Sequence, residues 1–105
     1  MATAKIEEFS KIEIEIAEIA KALSHPARIK ILKILNDLNS CMVGGIVDLL
    51  PLSQSTVSQH LKELKRVGLI KGEIEGPKIC YCINPGVMEK VKTEFNKLFS
   101  QVCKC

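Results

Sequence analysis

The sequence predicts a mainly α-helical domain with one β-hairpin, in the order α-α-α-α-β-β-α. Three observations carry this. Apolar residues recur at spacings of three and four before residue 39, and again through 54–67 and 85–99, which is the period of a helix. The runs 70–74 and 79–83 alternate with period two around Glu75-Gly76-Pro77-Lys78, which marks a hairpin. The length of 105 residues is enough for one domain and too little for two.

Each element has its own signals. From Ile6 to Leu23 the apolar residues are Ile6, Phe9, Ile12, Ile16, Ile19 and Leu23. Ile14 lies off that stripe, so this helix has apolar character on more than one face and suits a dimer contact. Ser24 is a capping residue and Pro26 fits an early helical position, so the second helix runs to about Leu38. Its expected buried side is Ile29, Ile31, Leu32, Ile34 and Leu35. Asn39-Ser40 breaks the pattern, and a short helix is expected from Val43 to Leu50, weakened by Gly44-Gly45 and ended by Pro51. Ser53 is the N-cap of a helix from Gln54 to about Val67, with Val57, Leu61 and Leu64 inward and Gly68 as its C-terminal cap. After the hairpin, Asn84 and Pro85 open a last helix that runs to about Phe99. Met42 and Met88 read as core.

Composition narrows the function classes. Apolar residues make up 47% and charged residues 26%, a globular profile rather than a disordered one. No apolar run approaches the roughly 20 residues of a membrane helix, and the N-terminus has no apolar signal core. A soluble cytoplasmic protein is expected. One Tyr, three Phe and no Trp give little material for stacking on sugars or single-stranded bases. No Cys-x-x-Cys occurs, and neither His25 nor His60 has a nucleophile at catalytic spacing, so an enzyme is not expected.

Charge favours the second half. Residues 1–52 hold 6 basic and 7 acidic side chains, and residues 53–105 hold 9 basic and 5 acidic. That gives −1 and +4, the net +3 of the chain, and suits a basic face turned to phosphate. The segment 43–67 has the size of a helix-turn-helix. Its second helix turns Gln54, Ser55, Ser58, Gln59 and Lys62 outward, side chains that reach base edges and phosphates in a major groove. Lys65 and Arg66 follow at its far end, and Lys71 and Lys78 on the hairpin would reach an adjacent groove as a wing.

Two motifs resemble a known family. Leu52 through Leu64 (LSQSTVSQHLKEL), followed by Gly68-Leu69-Ile70, resembles the recognition-helix signature of the ArsR/SmtB repressors. Leu23 through Leu32 (LSHPARIKIL) resembles that family's second-helix motif, and Gly76 through Asn84-Pro85 its wing and exit turn. The resemblance covers about residues 16–90. It implies a single winged helix-turn-helix domain over 1–105, paired as a homodimer through the first and last helices. It further implies a repressor bound to double-stranded operator DNA until an inducer loosens it. The positions that carry over to base reading are Gln54, Ser55, Ser58 and Gln59, with His60 as a motif residue that contacts DNA or packs its helix.

The inducer is read from the thiols. Residues 85–105 hold no His and no Asp, so the family's interfacial zinc site lacks its ligands. Where arsenic sensors of the family carry Cys-x-Cys, this chain has only Cys41. The five cysteines are Cys41, Cys80, Cys82, Cys103 and Cys105. Thiolates suit As(III) and Sb(III), which are soft. Cys103-Lys104-Cys105 can close on one ion with a third thiol, and Cys80 and Cys82, at i and i+2 of one strand, form a second chelating pair. The alternative is a thiol-redox or persulfide response joining Cys41 with Cys103 or Cys105. No obligatory cofactor is expected.

Overall fold

The protein is described by a computed structural model, in which residues 8–38, 42–43, 49–75 and 78–100 are described. Helix α1 spans Lys11–Ala22 and α2 spans Pro26–Leu38. Strand β1, Met42–Val43, precedes α3 at Gln54–Arg66. The hairpin is β2, Ile70–Glu75, and β3, Lys78–Ile83, and α4 at Pro85–Phe99 closes the order.

Helix α1 starts later than the apolar periodicity implies, because a capping box fixes its end. The Glu13 backbone N–H donates to Ser10 Oγ at 3.1 Å, and the Ser10 N–H donates to Glu13 Oε1 at 2.8 Å. Phe9 therefore stands outside the helix, and Ile6 lies outside the described residues. Helix α2 begins at Pro26 as expected, but its cap is not Ser24. The Ser24 hydroxyl donates back to the Lys21 carbonyl at 2.6 Å, while the His25 imidazole Nδ1 accepts the Ala27 N–H at 3.0 Å. The inward stripe of α2 is Ala27, Ile31 and Leu35 at spacings of four. Ile29, expected inside, is 41% exposed, because two residues from Ile31 is more than half a turn away.

Strand β1 corrects the reading of the third element. Met42 pairs with Tyr81 and Val43 with Cys80, so Val43 belongs to a strand rather than to the start of a short helix. An apolar, partly β-branched pair meets the open edge of β3 and completes its ladder. The remainder of that expected helix falls mainly on 44–48, outside the described residues. The sheet has the order β1-β3-β2 and is antiparallel throughout. The hairpin register runs from Ile70↔Ile83 to Glu75↔Lys78.

One buried cluster joins these elements. Ile19 of α1, Ile31 and Leu35 of α2, Val57, Leu61 and Leu64 of α3, Leu69, Ile70 of β2 and Val91 of α4 meet in it, with Leu50 from the preceding loop. Partly buried Tyr81, Ile83, Val87 and Met88 pack around it. Helices α1 and α4 are also tied at the surface, where Lys90 Nζ lies 2.7 Å from Glu15 Oε1. No described helix is long and apolar enough to cross a membrane.

Candidate nucleic-acid interface

Helix α3 is held at both ends. At its start Ser53 is extended, and its Oγ accepts the Thr56 N–H at 3.4 Å. At its end Gly68 adopts φ +83°. The Gly68 N–H donates to the Lys65 carbonyl at 3.0 Å, and the Leu69 N–H reaches back to the Leu64 carbonyl at 3.1 Å. This pair of bonds is a Schellman motif, and it satisfies carbonyls that the helix end would otherwise leave bare. It also turns the chain directly into β2, so the hairpin follows the helix with no linker.

The two faces of α3 differ sharply. Val57, His60, Leu61 and Leu64 are buried. Gln54, Ser55, Ser58, Gln59, Lys62 and Lys65 are exposed, as the sequence predicts. The inner face anchors the helix in the core, which leaves the outer one an exposed row of hydrogen-bonding side chains on a fixed backbone. Lys65 and Arg66 lie in the last turn, where cations complement the helix dipole. Lys71 is exposed on β2, and Lys78 opens β3 opposite Glu75.

Two residues expected to face DNA have other partners. His60 is only 7% exposed and faces inward, which favours the helix-packing reading of the two that the motif left open. Its Nδ1 accepts the Arg28 Nε–H at 3.1 Å, and its ring lies 4.4 Å from the His25 ring, centroid to centroid. Burial, the nearby His25 and the Arg28 charge together hold the His60 imidazole below its ordinary pKa. Arg66 is exposed but committed. Its guanidinium forks onto Glu63, with contacts of 2.7 and 3.1 Å, and also meets Glu18 of α1 at 3.0 Å. The hydrogen bond from Arg66 lowers the Glu63 pKa, and the two carboxylates raise that of Arg66.

Arg28 is the residue that sequence reasoning left without a role. Besides His60 it reaches the carbonyls of Ala22 at 3.2 Å and Lys21 at 3.4 Å. One side chain thus ties α2 to the end of α1 and to α3. An Arg directly after the buried Ala27 and three residues before the buried Ile31 was the available signal.

Chain comparisons agree with this geometry. The family model "Bacterial regulatory protein, arsR family" matches residues 25–71, from His25 through the start of β2. An HTH-type transcriptional regulator of Methanocaldococcus jannaschii is 40% identical over 77 residues, covering 72% of this chain and 86% of that protein. The chain belongs to the ArsR/SmtB family. The transcriptional repressor PagR of Bacillus anthracis is 39% identical over 75 residues, 71% of this chain and 75% of that one. The solved structure of HlyU from Vibrio cholerae is 28% identical and superposes with a TM-score of 0.67, covering 89% of this chain and all of that chain. This ArsR/SmtB member is accordingly a winged helix-turn-helix transcriptional regulator and not an enzyme. In that fold α3 takes the place of the recognition helix and β2–β3 that of the wing.

Of the five cysteines, Cys80 and Cys82 sit on the central strand, paired in register with Glu73 and Lys71 of β2. Cys82 is half-buried. Cys41, Cys103 and Cys105 lie outside the described residues. Among the described residues no group of three or more His, Cys, Asp or Glu is placed to hold a metal ion.

Proposed function

We propose that this regulator is a homodimeric repressor that binds double-stranded operator DNA and is released when an inducer binds its cysteine thiolates. The observation that carries the DNA part is the exposed row Gln54, Ser55, Ser58, Gln59 and Lys62 on a helix capped at both ends and anchored by Val57, Leu61 and Leu64. Gln can bond adenine through two atoms at once, Ser accepts or donates to several bases, and Lys62 and Lys65 reach phosphates. Repression follows from an operator that overlaps a promoter. The relative PagR is named a repressor, which supports that direction.

Homodimer formation is supported by apolar surface near the chain's two outer helices. Phe9, just before α1, is 57% exposed, and Leu98 and Phe99 at the end of α4 are 60% and 67% exposed. Phe99 stacks on Phe95 at 5.8 Å, so the apolar end of α4 is an ordered surface. A second copy offers the same residues, as a two-fold interface requires.

The proposed inducer is As(III) or Sb(III). Cys103 and Cys105 supply two sulfurs and one of Cys41, Cys80 or Cys82 the third. Each thiol replaces one hydroxide on arsenous acid and releases one water, with no change of oxidation state. To weaken DNA binding, the ion must bind the DNA-weak conformation better than the DNA-strong one.

The test uses fluorescence anisotropy with reduced protein and a duplex from the DNA immediately upstream of its own gene. Binding that sodium arsenite reverses, and that Cys103→Ser with Cys105→Ser makes resistant to arsenite, is the expected result. No binding without arsenite would overturn the repressor reading. Binding that ignores arsenite but is lost with a persulfide donor would replace the metalloid with a persulfide signal.

A further inference from the structure

Helix α3 is joined to the rest of the fold by a partly buried polar contact beside an apolar core. Arg28 Nε is always a donor, so the His60 Nδ1 it meets at 3.1 Å must be unprotonated. His25 Nδ1, which accepts the Ala27 N–H at 3.0 Å, is bare for the same reason. Two imidazoles with bare Nδ1 atoms therefore lie 4.4 Å apart, tilted 41° to one another, beside one guanidinium. The Arg28 fork is fixed in turn by the Lys21 and Ala22 carbonyls at the end of α1. Among the described residues no buried side-chain polar atom lacks a partner.

We propose that Arg28 and His60 form a latch that sets the pitch of α3 on α2, with His60 a positioning residue for operator binding that lets go when its imidazole is protonated. The proposal rests on the reading of α3 as the DNA-reading helix. A proton on Nδ1 would turn donor against donor and place a cation against a guanidinium. The surroundings do not absorb that charge. From α2 the ring faces the Arg28 charge and from the α1–α2 junction that of His25, while Lys21 at the end of α1 acts on Glu63. Strand β2, packed on the same helix, brings buried Ile70 and exposed Lys71. Glu63, three residues on in α3, is already held by Arg66. The lowered pKa of His60 agrees with this balance.

The sign is diagnostic. Acidification ordinarily tightens a protein on DNA, because added positive charge favours phosphate. A latch that opens does the reverse. The experiment measures affinity for the same upstream duplex at pH 7.5 and pH 5.5 and fixed salt, for wild type and for His60→Asn. The Asn side chain keeps an acceptor where Nδ1 stood and cannot titrate. Wild type is expected to lose affinity on the order of tenfold at the lower pH, the size of one charge-assisted hydrogen bond lost. His60→Asn should bind within about threefold of wild type at pH 7.5 and show no acid loss. Arg28→Met should bind weakly at both. The same acid response in wild type and His60→Asn overturns the latch, since His25 is intact in both. If wild type binds no duplex at either pH, the DNA reading fails instead. The latch is then judged by ¹⁵N shifts of the imidazoles: a bare His60 Nδ1 at pH 7.5 supports it, and a protonated one overturns it.

Discussion

The Arg66 guanidinium meets Glu18 at 3.0 Å, so the far end of the recognition helix is tied to α1. The same group forks onto Glu63 one turn back. A side chain that its type and position offer to phosphate is thereby held against two carboxylates.

Lys62 and Arg66 should therefore behave differently on DNA. Each phosphate contact contributes about 0.9 to the slope of log affinity against log salt. Lys62→Gln should reduce that slope by about one per chain and weaken binding to all sequences alike. Arg66→Gln should leave the slope nearly unchanged and lower Tm slightly at low salt, since exposed ion pairs are screened. A salt titration of both variants decides it, and an equal loss of slope would place Arg66 on the backbone after all.

Gly68 allows the helix end, and its replacement has a separable cost. A Cβ there would meet Val87 Cγ2 at 3.6 Å, an ordinary contact, so space is not the difficulty. The difficulty is φ +83°, which costs an L-residue with a side chain roughly 1–2 kcal/mol. Gly68→Ala should lower Tm by about 4–8 °C per kcal/mol for a domain of this size. Gly68→Asn should lie between it and wild type, because Asn tolerates this region. Equal losses for Ala and Asn would point to packing against Val87 instead.

What the sequence made legible was what local chemistry decides. Ser53, Gly68, Asn84 and Pro85 act at short range, and all four stand at the helix boundaries they predict. The outward row of α3 was legible because a 3.6-residue period fixes which positions share a face. The misses were contacts across the chain. Arg28 and His60 are 32 positions apart, and no spacing rule brings them together. Strand β1 has two residues and exists only because β3 offers it an edge. Arg66 was legible in part, since Glu63 stands three residues before it, but its second partner, Glu18, lies on another helix. Ile29 looked buried because α2 is apolar on more sides than its core contact covers.

Acid should also weaken folding through His60, apart from any DNA. Its pKa in the fold lies below the ordinary value of 6.5. The unfolded chain therefore binds the proton more readily, and stability falls as pH drops from above that value through the folded one. The His60 share of stability is complete above about pH 6.5 and lost below it. Urea denaturation at pH 7.5 and pH 5.5 should show a larger loss for wild type than for His60→Asn. Matching losses would assign the acid sensitivity to other groups, with Glu63 reserved for lower pH because its carboxyl titrates below the usual Glu range.

The apolar end of α4 offers the sharpest test of assembly. Leu98 and Phe99 are exposed in one chain, and neither belongs to the buried cluster. Replacing both with Asp should leave helix content and monomer stability nearly intact. If a second copy covers them, each buried side chain contributes about 1.5–3 kcal/mol to the dimer, and a charge in its place is far worse. Leu98→Asp with Phe99→Asp should then sediment as a monomer at micromolar concentration, where wild type is a dimer. Its affinity for a two-half-site duplex should fall about a hundredfold or more, because the two recognition helices no longer bind as one unit. Binding to a single half-site should change little. A variant that stays dimeric and binds like wild type would move the interface away from α4.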